Sequence, residues 1–143
     1  MEGKKKITGI VFSDLGEAAS FMGLEWVQRL LTERLGFVPF AGTLNLRLTS
    51  KQGVDLWREL QQSMKGVDLP SPDPTFCHAR AYVAQIEKGV GLHEENRHVA
   101  VLVPEVKGYP VDKLEVIAPF HVKQSLKVDD GDPLTLEFFE DKQ

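Results

Sequence analysis

The chain has 143 residues, 42% hydrophobic and 27% charged, with a formal net charge of −4. Those values suit one domain over residues 1–143 with one core, and the acidic balance gives no electrostatic case for nucleic acid. A single cysteine, Cys77, excludes an intrachain disulfide and a cysteine-built zinc site, which fits a reducing compartment and a cytoplasmic location.

The basic start Met1 to Lys6 runs into Thr8, Gly9, Ser13 and Asp14, so it never builds the apolar core of a signal peptide or membrane span. Ile7 to Phe12 reads as a short strand that breaks at Ser-Asp-Leu-Gly, and a loop centred on Gly16 follows. Ser20 is placed to cap a helix whose stripe is Leu24, Val27 and Leu31, widened by Trp26 and Leu30, with Arg34 in the last turn and a stop at Gly36. This helix is expected to lie on a barrel or sheet. Strand, glycine loop and helix in that order suggest a phosphate cradle, yet neither a P-loop nor a dinucleotide-binding signature is present.

Pro39 and Gly42 punctuate the next loop, and from Thr43 the pattern alternates strictly. Leu44, Leu46 and Leu48 point to one face of a strand; Thr43, Asn45 and Arg47 point to the other. The ordinary reading of Thr43 and Asn45 is the polar face of a half-buried strand. The chemical alternative is that a hydroxyl and an amide carbonyl at i and i+2 supply two hard ligands to one Mg²⁺, with phosphates completing the shell. Val54, Leu56, Trp57 and Leu60 are spaced for a second helix, and Val67 to Pro74, rich in proline, reads as a surface loop. Phe76 to Ile86, His98 to Val103, Leu114 to Ala118 and Leu134 to Phe139 are strand candidates. Glu87 to Arg97 reads as a hairpin connection, and Asp129-Asp-Gly-Asp132 is a strong turn signal. Six strands and two helices result, too strand-rich for a βαβ sheet, so the expected architecture is mainly β: a small closed or partly closed barrel carrying helices.

None of His78, His93, His98 and His121 forms the paired spacing of a helical zinc site. Cys77 and His78 are strand neighbours that point to opposite faces and so make no nucleophile pair. Glu115 shares a strand face with Ile117. Its common form would be a solvated glutamate; partial burial would instead suit it to act as a base or hydrogen-bond acceptor. Phe37, Phe40 and Tyr109 are the aromatics available to build an apolar slot around that anchor.

Several pieces occur together in one order. Leu15-Gly-Glu17 precedes a helix, and Leu35-Gly-Phe-x-Pro-Phe40 leads into Gly42-Thr-Leu-Asn-Leu46. Leu114-Glu-Val-Ile-Ala-Pro119 is followed by Val128-Asp-Asp-Gly-Asp132. This ordered set resembles the CTP-dependent riboflavin kinases over nearly the whole chain. The resemblance implies a six-stranded cradle-loop barrel and Mg²⁺-assisted transfer of the terminal phosphate of CTP to the 5′-hydroxyl of riboflavin, giving FMN and CDP. It implies that Thr43 and Asn45 are the Mg²⁺ ligands at the catalytic centre, and that Lys107 and Glu115 stand at flavin-contacting positions. Asp14, Leu15, Gly16 and Glu17, with Phe120, His121, Val122 and Lys123, stand at nucleotide-holding positions. The family's loop reads Gly-x-Gly-Glu-Gly-Arg, whereas here Asp14, Ala18 and Ala19 replace two glycines and the arginine. The family's Arg-Thr-x-His is here Val106-Lys-Gly-Tyr109. The expected partners are therefore the small molecules CTP and riboflavin, with no nucleic acid, no membrane and a monomeric state. The second hypothesis is a non-catalytic flavin- or nucleotide-binding barrel, or a relative with changed substrate, that has lost the glycine-rich loop.

Overall fold

The computed structural model describes residues 4–13, 22–72, 78–87 and 97–139. Seven strands occur among them: β1 (Lys4–Phe12), β2 (Leu44–Arg47), β3 (Val67–Leu69), β4 (Ala79–Ile86), β5 (His98–Pro104), β6 (Lys113–Ile117) and β7 (Pro133–Phe139). Three helices accompany them: α1 (Glu25–Leu35), α2 (Lys51–Ser63) and α3 (Val122–Leu126). The strands run in the order β3-β4-β5-β6-β2-β1-β7, and β4 also pairs with β7. That last pairing, Gln85 with Glu137 and Ile86 with Leu136, closes a ring of six antiparallel strands. β3 lies outside the ring on the free half of the same β4 edge, opposite Ala79 to Ala81. The expected barrel is therefore present and closed.

Closure gives the barrel two apolar surfaces. Inside lie Ile7, Val11, Leu44, Leu46, Val99, Val101, Leu114, Val116, Leu136 and Phe138, all nearly or fully removed from solvent. Alternation with a period of two is the cause, because every second residue of each strand must point inward. Gly9 belongs to this inner layer: a Cβ there would stand 2.9 Å from Leu46 Cβ, so β1 and β2 pack this closely only because Gly9 has no side chain. α2 contributes Trp57 and Leu60 to the interior cluster, with Trp57 edge-on to Tyr82 at 5.6 Å and tilted against Phe138 at 5.3 Å. Ser50 caps this helix, its side chain accepting from Gly53 N–H at 3.0 Å.

The second cluster lies outside the ring. Val27 and Leu31 of α1 join Met22, Leu69, Ala79, Ala81, Ala100, Leu102 and Ile117, so this helix lies on the outer face of β3, β4, β5 and β6. Small alanines on β4 and β5 let it approach. α1 stops where expected: Gly36 is left-handed (φ 82°) and its N–H donates to Thr32 O. The helix begins at Glu25 with Leu24 in the cap position; the expected cap, Ser20, lies outside the described residues, as do the Gly16 loop, Phe76, Cys77 and most of the Glu87 to Arg97 connection.

Two expectations are corrected. The stretch Val67 to Pro74, read as a loop, opens with the strand β3, because Val67, Asp68 and Leu69 find hydrogen-bonding partners on β4. Three helices rather than two occur among the described residues: α3 forms after Pro119, with His121 Nδ1 accepting from Gln124 N–H at 3.2 Å as its cap. No helix among the described residues is long and apolar enough to cross a membrane.

Candidate functional site

The strand pairing carries Asn45 and Glu115, seventy residues apart in sequence, to directly opposed positions. Asn45 opposes Phe12 on β1 and Glu115 on β6, and Glu115 opposes Leu102 on β5. These residues form one row on the outer face of the barrel. Both polar members are buried, each 8% exposed. Glu115 is thus the buried form, and β2 is not an ordinary half-buried strand: it buries Leu44, Asn45 and Leu46 in succession. Thr43, half-buried, lies one residue before β2.

The two polar groups differ in how they are satisfied. Glu115 accepts a hydrogen bond from the Tyr109 hydroxyl. Asn45 Oδ1 is the buried side-chain oxygen without a hydrogen-bond partner among the described residues. A buried amide carbonyl left in this state costs about 1–3 kcal/mol, so such an atom invites a ligand. An oxygen acceptor of this kind fits a hard cation such as Mg²⁺, for which Thr43, two residues earlier, offers a second neutral oxygen and phosphate oxygens the remaining positions. Among the described residues no group of three or more His, Cys, Asp or Glu side chains could hold a metal.

Around this pair the flanking residues divide by role. Arg47 lies over the Phe12 ring at 4.3 Å and pairs with Asp112 at 3.5 Å. Of the nucleotide-holding candidates, Val122 is buried and Phe120 packs against the interior cluster. His121 caps α3 and meets the Phe40 ring edge-on at 4.9 Å. Among the described nucleotide-holding candidates Lys123 presents a charge. Its Nζ donates to Asp130 Oδ1 at 2.8 Å and to Ser13 Oγ at 3.0 Å, and Ser13 Oγ donates to the same carboxylate oxygen at 3.0 Å. Hydrogen bonds from Lys123 first, then Ser13, hold the Asp130 carboxyl below the ordinary carboxylate range. This network ties the end of β1 to α3 and the turn before β7; sequence reasoning named Lys123 but not Ser13 or Asp130, whose 117-residue separation leaves no local signal. Asp14, Leu15, Gly16 and Glu17 lie outside the described residues. Lys107 is exposed, in the turn where Tyr109 N–H donates to Val106 O at 3.1 Å.

Beside Glu115, α2 and the β5–β6 connection enclose a cleft of roughly 350 Å³. Tyr109 stands in its wall, so one residue touches both the cleft and the buried carboxylate.

The chain is 32% identical over 137 residues to a riboflavin kinase of Pyrobaculum islandicum, covering 94% of this chain and 60% of the relative. It is 32% identical over 136 residues to a riboflavin kinase of Methanococcoides burtonii, covering 94% and 57% respectively. To a riboflavin kinase of Archaeoglobus fulgidus it is 34% identical over 139 residues, covering 95% and 55%. The chain therefore spans little more than half the length of these relatives. The family model CTP-dep_RFKase, described as a domain of unknown function, DUF120, matches residues 11–138, and the chain belongs to that family.

Proposed function

We propose that this barrel is a riboflavin kinase that uses CTP as phosphate donor, transferring its terminal phosphoryl group to the 5′-hydroxyl of riboflavin and releasing FMN and CDP. The observation that carries the reading is the unpartnered Asn45 carbonyl beside Glu115, in a chain whose named relatives are riboflavin kinases. Phosphoryl transfer asks a protein chiefly to position two substrates and offset phosphate charge. Thr43 and Asn45 would hold Mg²⁺ through neutral oxygens, so most of the cation's charge is still directed at the phosphates. Bound there, the ion would neutralise charge on the transferred group.

Lys123 supplies a fixed cation at the end of β1, where the following loop lacks the family's arginine. Asp130 and Ser13 hold that ammonium in place before any phosphate arrives. Glu115, oriented by Tyr109, accepts a hydrogen bond from the acceptor molecule. Burial strengthens that bond, since a carboxylate shielded from water does not have to exchange a hydration shell for its partner. Incubating the pure protein with riboflavin, Mg²⁺ and each of four nucleoside triphosphates should yield FMN, fastest with CTP. FMN from another triphosphate would refute CTP as donor; riboflavin binding without turnover under every triphosphate would establish the non-catalytic alternative.

A further inference from the structure

We propose that Arg47 is a phosphate-binding residue: its guanidinium, laid over the Phe12 ring beside Asn45, contacts the terminal phosphoryl group of the donor triphosphate. This rests on the kinase reading above and adds a residue that reading does not use. Arg47 follows Asn45 by two positions on β2, so the two side chains leave the strand on one face, with Cα atoms about 7 Å apart. In register Arg47 opposes Ile10 on β1, whereas Asn45 opposes Phe12. The guanidinium carbon nevertheless lies 4.3 Å from the centroid of the Phe12 ring. The side chain has crossed diagonally from its own row to the row that carries Asn45 and Glu115, and the face of the ring holds the cation there.

Ordinary strand pairing does not account for this placement. Directly across from Arg47 on β6 stands Lys113, and like charges at opposed positions of an antiparallel pair are destabilising. The carboxylate that pairs with Arg47 among the described residues, Asp112, is 3.5 Å from Nη1, the long limit of a hydrogen bond, and the two side chains are 49% and 36% exposed, so the pair contributes little. Lys113 Nζ in turn lies 5.7 Å from the Tyr109 ring centroid, so two cations, each over an aromatic ring, border the Asn45–Glu115 pair. An anion between them turns an unfavourable juxtaposition into a favourable one. The unpartnered Asn45 carbonyl asks for a cation instead, and a phosphate that brings a bound hard cation with it satisfies both demands at once. A guanidinium suits the phosphate half of that ligand, because its planar fork of N–H donors matches two oxygens of one phosphoryl group. Lys123 is engaged by Asp130 and Ser13 at the end of β1, so Arg47 and Lys123 address the phosphates from separate elements.

The test separates the terminal phosphate from the rest of the nucleotide. In isothermal titration with Mg²⁺, Arg47→Met should bind CTP about tenfold or more weakly than the wild type and lower kcat by about a hundredfold, while CDP affinity and the KM for riboflavin change by less than about twofold. Should another triphosphate give FMN, that triphosphate and its diphosphate take the places of CTP and CDP. Arg47→Lys, which keeps the charge without the fork, should recover only part of the triphosphate affinity and rate. Added guanidinium ion should restore activity to Arg47→Ala, and Arg29→Met, which removes an exposed arginine of α1, should match the wild type throughout. Thermal unfolding of the Arg47 variants should stay close to that of the wild type, because the side chain is half exposed. Unchanged triphosphate affinity and kcat, equal losses for triphosphate and diphosphate, or a lowered Tm with no rescue by guanidinium would overturn the assignment while leaving the kinase reading intact. A wild type that binds CTP more tightly than CDP, loses that preference in Arg47→Met and forms no FMN with any triphosphate would support the phosphate contact and end the kinase reading. A wild type that binds neither nucleotide and forms no FMN would overturn both.

Discussion

Replacing Asn45 with leucine should have opposite effects on stability and on ligand binding. The side chain is 8% exposed and its carbonyl oxygen has no partner among the described residues, so the ligand-free protein carries a desolvation cost of about 1–3 kcal/mol at this atom. Leucine has nearly the same volume, removes the polar atom and sits against Phe12 across the β1–β2 pair. The Asn45→Leu protein should therefore be more stable by on the order of 1–2 kcal/mol, raising Tm by about 3–6 °C for a chain of this size. Mg²⁺-dependent binding of nucleotide should be lost, the exchange of stability for function expected at a ligand site. Differential scanning calorimetry without ligand reads the first effect, and isothermal titration with CTP, with and without Mg²⁺, reads the second. A variant less stable than wild type by 1 kcal/mol or more would mean that the carbonyl is satisfied in solution; unchanged Mg²⁺-dependent binding would place the cation elsewhere.

Three further outcomes are expected. Arg97 and Glu137 form a buried pair at 3.0 Å where β4 meets β7, and Arg97 Nε also donates to Ile86 O, so Glu137→Leu alone should cost about 3–5 kcal/mol in urea unfolding, whereas Arg97→Met with Glu137→Leu should cost much less. Gly9→Ala should destabilise by about 1–3 kcal/mol in the same assay, because the new Cβ meets Leu46 Cβ at 2.9 Å. The Asp130 carboxyl is held below its ordinary range in the folded state, so its contribution to stability is complete above the unfolded-state value and disappears as pH falls through the folded one. An NMR titration should show it ionising below an ordinary aspartate, and Lys123→Met should return it to the ordinary range; an ordinary titration in the wild type would mean that the link to Lys123 and Ser13 does not form in solution.

Local pattern determined much of this fold. The alternation of Leu44, Leu46 and Leu48 is enough to choose the inward face of β2, because the side-chain period of a strand is fixed by its backbone. The stop at Gly36 follows equally locally, from the ease with which glycine adopts a left-handed conformation. The family resemblance likewise rests on short ordered motifs, and Thr43, Asn45, Lys107, Lys123 and Glu115 were candidates on those motifs alone. Other features depend on partners far away in the chain. Val67 to Leu69 is too short to show a period and is a strand only because β4 offers it an edge. No helix was expected around His121 and Val122, yet one caps and the other anchors a short helix through contacts set by the fold around them. Nothing near Asn45 or Glu115 in sequence says that they are buried or that they face each other. Burial and hydrogen-bond satisfaction are properties of what surrounds an atom, and here the surroundings come from β1, β5 and β6 together, so only tertiary structure could distinguish a solvated strand face from an unpartnered carbonyl beside a buried carboxylate.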